Sequence, residues 1–206
     1  MSGLSSRDVA LNIRKGYQPT YGNEIASNDF RCQPGAESGS NTDVLEVQAG
    51  DKITMQLGFG KSGMDHPGPA SVFMSKAPGS VKSYDGSGDW FKTFESTLCS
   101  GTSAMTTNSW CSYGKNYIEF TIPKRLPKGE YLIRPQHIGL HESQGNGKGA
   151  QFFYSCAQIK ITGGSEGGKS HRIQEGSNET QANSRMQHSC RPVLANSLAW
   201  CVALPN

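Results

Sequence analysis

The stretch GMDHPGPA, residues 63–70, sets a single histidine, His66, directly ahead of Pro67, Gly68 and Pro69. An imidazole can ligate a metal, carry a proton or hydrogen-bond a neighbour. Proline on its C-terminal side restricts the backbone of His66 to extended conformations, and Pro67 and Pro69 fix their own φ. That limits how far the ring can wander. His137 in RPQHIG, His141 in GLH and Gln151 in GAQ are further polar candidates. Taken singly, each has an ordinary explanation: a hydrogen-bonded or solvated loop histidine, or a strand glutamine satisfied by backbone. Other chemistries lack their marks. Glu119, Glu130 and Glu142 could act as carboxylates, but no context marks a pair of the kind a glycoside hydrolase needs, and no G-x-S-x-G elbow is present.

Six cysteines, Cys32, Cys99, Cys111, Cys156, Cys190 and Cys201, lie far apart with no C-x-x-C. That pattern fits neither a zinc ribbon nor a thioredoxin motif. An even count of scattered cysteines is what disulfides look like in an oxidising compartment. The opening MSGLSSRDVALNIRKG has no apolar core of a signal peptide. The two observations together favour a secreted protein whose start is missing over a cytosolic one with free thiols. The formal charge of +3, with no basic run interleaved with aromatics, argues against nucleic acid. No apolar run approaches the ~20 residues that cross a bilayer.

The elements that must position these residues read as strands. Of 206 residues, 34% are hydrophobic, with 25 glycines and 10 prolines, the profile of a loop-rich, all-β domain. Apolar segments of four to eight residues alternate with Gly/Pro/Ser/Asn clusters, as in a sandwich or barrel. DVLEVQAGDKITMQLGF predicts two strands around Ala49-Gly50-Asp51. NYIEFTIPKRLPKGEYLIRPQHIGLH predicts two more, Tyr117 to Ile122 and Tyr131 to Ile133, about a Pro-Gly turn. In AQFFYSCAQIKITGG, Gln151, Phe153 and Ser155 share one face, and Phe152, Tyr154 and Cys156 the other. Helices should be short and confined to loops. From residue 163 small and polar residues dominate as far as Cys190, which predicts a linker or disordered segment. A short apolar end follows, in which Cys190 and Cys201 are close enough in sequence to pair. Asn178-Glu179-Thr180 is a formal glycosylation sequon, a pattern common by chance.

MDHPGPASVFMSKAP, DGSGDWFKTFE, IPKRLPKGEYLIRPQHIGLH and GKGAQFFYSCAQIKITGG, in that order and spacing, resemble the fungal copper-dependent lytic polysaccharide monooxygenases of auxiliary activity family 9. The resemblance covers about residues 8 to 164, starting with ALNIRKGYQPTYGNEIASNDFRCQ. It implies an immunoglobulin-like or fibronectin-like β-sandwich with long loops, whose flat face binds crystalline cellulose or a related β-glucan. It implies one copper ion, held by a histidine brace of three neutral nitrogens: the amino group and imidazole of a first histidine and the imidazole of a second. The second histidine falls on His66. His141 and Gln151 match the pair that sits beside the copper and hydrogen-bonds the oxygen species, the family's catalytic helpers. His137 matches no functional position and is read as structural. Cys32 and Cys156 match the family's commonest disulfide, worth about 3 to 5 kcal/mol in the chain-entropy model. Cys99 and Cys111 are candidates for a second bridge inside one loop, and the pairing of Cys99, Cys111, Cys190 and Cys201 stays open.

The implied activity is oxidative cleavage of β-1,4-glucan chains at C1 or C4 with O2 or H2O2, by an extracellular monomer served by an external electron donor. Two departures qualify it. The axial position, usually tyrosine, holds Phe153, which keeps the apolar shielding and loses the phenol oxygen. The resemblance also begins well inside the family's mature sequence, so the first strand and the brace's first histidine are expected to be missing. A truncated gene and a non-catalytic carbohydrate-binding sandwich that has lost its brace both fit that expectation. The domain reading is a sandwich over 1–164 and a polar, disordered tail over 165–206.

Overall fold

A computed structural model of the chain describes residues 19–22, 24–34, 36, 39–57, 63–99, 102, 106–143, 149–164 and 200–203. Ten strands form among them: β1 (Thr20–Tyr21), β2 (Leu45–Gln48), β3 (Lys52–Leu57), β4 (Ala70–Lys76), β5 (Trp90–Ser96), β6 (Tyr117–Thr121), β7 (Gly129–Gly139), β8 (Gln151–Tyr154), β9 (Ala157–Thr162) and β10 (Trp200–Ala203). The described helical segments are single 3-10 turns, Asn28–Arg31, Val81–Ser83 and Thr107–Ser109. All lie between strands, as the absence of a helical period requires.

The strands make two sheets. One holds seven strands along β1-β8-β7-β4-β5, with β9 beside the first half of β7 and β2 parallel to β9. The other has the order β10-β3-β6. Both turns expected from sequence are present, but neither makes a hairpin: β2 and β3 lie in different sheets, and so do β6 and β7. Gly50, at φ 98°, makes the first crossing in a backbone region that only glycine enters at little cost. Sheet faces meet in a core of Ile53, Met55, Ile118 and Phe120 against Val47, Val72, Met74, Tyr131, Ile133 and Ile159. The strict alternation of K-I-T-M-Q-L in β3 and Y-I-E-F-T in β6 gives each one buried and one wetter face. This is the expected β-sandwich.

β7 differs from its expected bounds. It runs eleven residues instead of stopping at Ile133, and it passes through Pro135. Proline disfavours central strands because it donates no N–H. Here β9 pairs with Gly129 to Ile133 and β8 with Gln136 to Gly139, so Pro135 falls where one neighbour hands over to the next. Nearly every β7 residue is buried, because both faces are covered. Its inner face, Tyr131, Ile133, Pro135, His137 and Gly139, lies in register with Ala70, Val72 and Met74 of β4. The outer face packs under the 3-10 turn that holds Phe30.

Among the described residues two disulfides are formed, Cys32–Cys156 and Cys99–Cys111. The first joins the segment after Phe30 to the bend between β8 and β9, across 124 residues. The expected disordered tail needs one amendment. Trp200–Ala203 pairs antiparallel with the β3 edge, as a β-prone run without glycine or proline can beside an open edge. Cys190, the sequon and the rest of the tail lie outside the described residues, as do the first eighteen.

Candidate functional site

β7, β8 and the His66 loop bring four of the singled-out side chains to one end of the inner sheet face. His66 is 1% exposed, and the His141 ring stacks on it with centroids 4.0 Å apart and 25° between planes. Phe153 lies on another side of His66, centroids 5.3 Å apart. The alternation read from the sequence explains Phe153: it faces inward, whereas Phe152 and Tyr154 face outward to pack on Phe30. Tyr154 instead hydrogen-bonds Thr20, Oη to Oγ1, at 2.8 Å. Gln151 sits in register with Gly139. A Cβ on Gly139 would come within 3.2 Å of His66 Cβ and Cδ2 and 3.3 Å of His141 Nδ1, so the absence of a side chain there makes room for both imidazoles. The Gln151 amide donates through Nε2 to Glu142 Oε2 at 2.8 Å, a tether no sequence pattern pointed to.

His137 is the residue whose place the sequence did not reveal. Its ring is fully buried, faces Phe153 at 6.3 Å and bonds through Nε2 to the carbonyl oxygen of His66 at 3.1 Å. Only the strand register, which puts His137 opposite both Ala70 and Phe153, could have located it. His137, read as structural because it matches no functional position, makes this backbone contact in the fold.

All three imidazoles are held neutral. Burial lowers His66 from its ordinary 6.5 to about 3, helped by the positive charge that His141 and His137 would carry. Burial brings His137 to about 4 and lowers His141 as well, partly offset at His141 by the Glu142 carboxylate. His141 Nδ1 and His137 Nδ1 are buried without a hydrogen-bond partner. A neutral imidazole in an apolar setting keeps a lone pair for a metal. Among the described residues, however, no group of three or more His, Cys, Asp or Glu side chains is arranged to hold a metal ion. The residues present therefore offer neutral imidazole nitrogens of the kind that suit a copper ion, and the described residues do not by themselves complete a donor set.

The family model of auxiliary activity family 9, formerly glycoside hydrolase family 61, matches residues 6–190. The chain is 48% identical over 154 residues to an AA9 family lytic polysaccharide monooxygenase G of Aspergillus tamarii, covering 74% of this chain and 46% of that protein. It is 49% identical over 171 residues to an AA9 family lytic polysaccharide monooxygenase A of Aspergillus fumigatus, covering 79% and 58%. The chain thus spans about half the length of these relatives. Among solved structures, a cellulose-active polysaccharide monooxygenase from M. thermophila superposes with a TM-score of 0.61 at 31% identity, over 79% of this chain and 70% of that one.

Proposed function

Because the chain belongs to auxiliary activity family 9, we propose that it acts in copper-dependent oxidative cleavage of a β-1,4-glucan such as cellulose, outside the cell. The observation that carries the reading is the buried, neutral His66 with His141 stacked on it and Phe153 beside it. In this reading His66 supplies one nitrogen to the copper. Bound copper supplies one-electron chemistry that lets O2 or H2O2 oxidise a glucan carbon.

The other groups act around that point. Phe153 excludes water from one side of the His66 ring and offers no oxygen. His141 Nδ1, buried and unbonded, is available to hold or release a proton beside it. Glu142 holds the Gln151 amide in one orientation. The two disulfides support an oxidising, extracellular setting. The glucan, the external electron donor and action as a monomer belong to the same proposal, as does cleavage at C1 or C4.

The test is product analysis on cellulose with copper, a reductant and either O2 or H2O2. Aldonic or 4-keto ends are expected. Plain reducing ends would mean a hydrolase, and cellulose binding without new ends would favour a carbohydrate-binding sandwich.

A further inference from the structure

The loop that carries His66 contains two residues, Pro67 and Pro69, that cannot donate a backbone hydrogen bond. Its carbonyls still need donors, because a buried carbonyl left unpaired is costly. Four consecutive carbonyls find them. Pro67 O accepts from Leu140 N at 2.9 Å and Pro69 O from Ile138 N at 3.0 Å, both from the end of β7 and the residue after it. Gly68 O accepts from Ser112 Oγ at 2.6 Å, and His66 O is bonded by His137 Nε2 at 3.1 Å. Two of the four donors are main chain, so any residue could supply them. The other two are side chains chosen by the sequence.

We propose that His137 and Ser112 are positioning residues for His66: together they fix the backbone on which that ring is mounted. This deepens the proposed function and rests on its assignment of His66. A carbonyl oxygen only accepts, so Nε2 of His137 must carry the proton, and Nδ1 is the nitrogen left bare. That matches the buried, unpartnered Nδ1. His137 also touches the ligand ring indirectly, since Phe153 faces both imidazoles. Ser112 is 2% exposed and directly follows Cys111, whose disulfide to Cys99 restrains the segment from which the hydroxyl reaches Gly68. The same segment ties the loop's other flank, with Met64 N donating to Lys115 O and Gly114 N to Met64 O.

The experiment uses the whole chain with 15N-labelled histidine, without metal, and reads the ring nitrogens of His66 and His137 by long-range proton–nitrogen correlation. Copper(II) affinity is then measured by calorimetry. In the unaltered chain His137 is expected as the Nε2–H tautomer and His66 as one sharp set of signals. His137→Phe, which keeps a ring and removes the donor, is expected to split or broaden the His66 signals and weaken copper binding about 10-fold. His137→Gln, whose amide can donate to the same carbonyl, should restore both readouts, which loss of packing alone would not predict. Ser112→Ala should shift both in the direction of His137→Phe. If His137→Phe does not fold, Ser112→Ala decides by the same readouts. An Nδ1–H tautomer at His137, or folded His137→Phe and Ser112→Ala chains with unchanged His66 signals and copper affinity, would overturn the proposal. If the unaltered chain takes up no copper, the proposed copper chemistry fails for this chain, while the metal-free spectra still decide the positioning role.

Discussion

Strand β7 carries a buried polar centre on each face, and the two are built in opposite ways. On the outer face the Arg134 guanidinium is wholly buried, lying over the rings of Trp90 at 4.7 Å, Phe30 and Phe73 at 5.2 Å and Tyr154 at 5.5 Å. Its Nη1 donates to the carbonyls of Phe30 at 2.8 Å and Arg31 at 3.1 Å, so it bonds the covering turn to the sheet. On the inner face His137, with His66 and His141 beside it, is kept neutral, and two ring nitrogens lack partners. One face spends its polar group on holding the molecule together. The other holds neutral imidazoles whose Nδ1 atoms stay available for proton or metal chemistry.

The comparison predicts large stability losses from the outer face and small ones from the inner. The largest should come from the disulfide anchoring the outer cover: Cys32→Ala with Cys156→Ala is expected to cost about 4 to 5 kcal/mol in denaturant unfolding, given the long loop it closes. Next, Arg134→Ala should cost about 3 to 4 kcal/mol, because it opens a cavity among four rings and strips donors from buried carbonyls. Arg134→Met, which refills the space, should recover part of that loss. An Arg134→Ala chain within 1 kcal/mol of the original, about the size of an ordinary substitution, would break the comparison.

One inner-face position should match these sizes, and it sharpens the contrast. Gly68 has φ 153°, and a Cβ there would run into the carbonyl oxygen of Ile138. Gly68→Ala should therefore cost about 2 to 3 kcal/mol, through strain in the loop's backbone and not through loss of an imidazole. His141→Phe should do the reverse. Replacing a ring that buries a bare Nδ1 with an apolar one should leave stability unchanged or raise it by up to about 1 kcal/mol. The same change should lower the yield of oxidised ends on cellulose about 100-fold. Equal losses of stability and yield would show that His141 is scaffold.

How much of this was legible beforehand follows from what each residue depends on. The strands β2, β3 and β6, the face assignments of Gln151, Phe153 and Tyr154, and the Cys32–Cys156 bridge could be read, because two-residue periodicity is local and the family resemblance supplied the pairing. The role of His137 could not. It needs the register of β7 against both β4 and β8, which depends on contacts far apart in sequence. Pro135 masked the strand for a related reason: a proline argues against a central strand until the handover from β9 to β8 is known. The Arg134 cage was equally hidden, since its four rings come from four separate segments.

The smallest expected effect is a difference in pH slope. His66 and His137 are lowered by burial from 6.5 to about 3 and about 4. Below 6.5 the unfolded chain takes up protons that the folded chain refuses, so stability is full above that pH and is lost as the pH falls toward 4. Asp85 is also lowered, chiefly by hydrogen bonds from Ser87, but its ordinary value is 3.8 and its loss comes at more acid pH. The outer face should add no slope in this window, because Arg134 stays charged throughout: burial lowers it only to about 9. His137→Gln removes one titrating ring while keeping a donor, so it should lose about 0.4 kcal/mol less than the original chain between pH 6.5 and 6.0. Arg134→Met should shift the whole stability curve and leave that slope alone. Denaturant midpoints across this range measure both, and a slope that follows Arg134 instead of His137 would mean that the inner face is not where the chain resists protons.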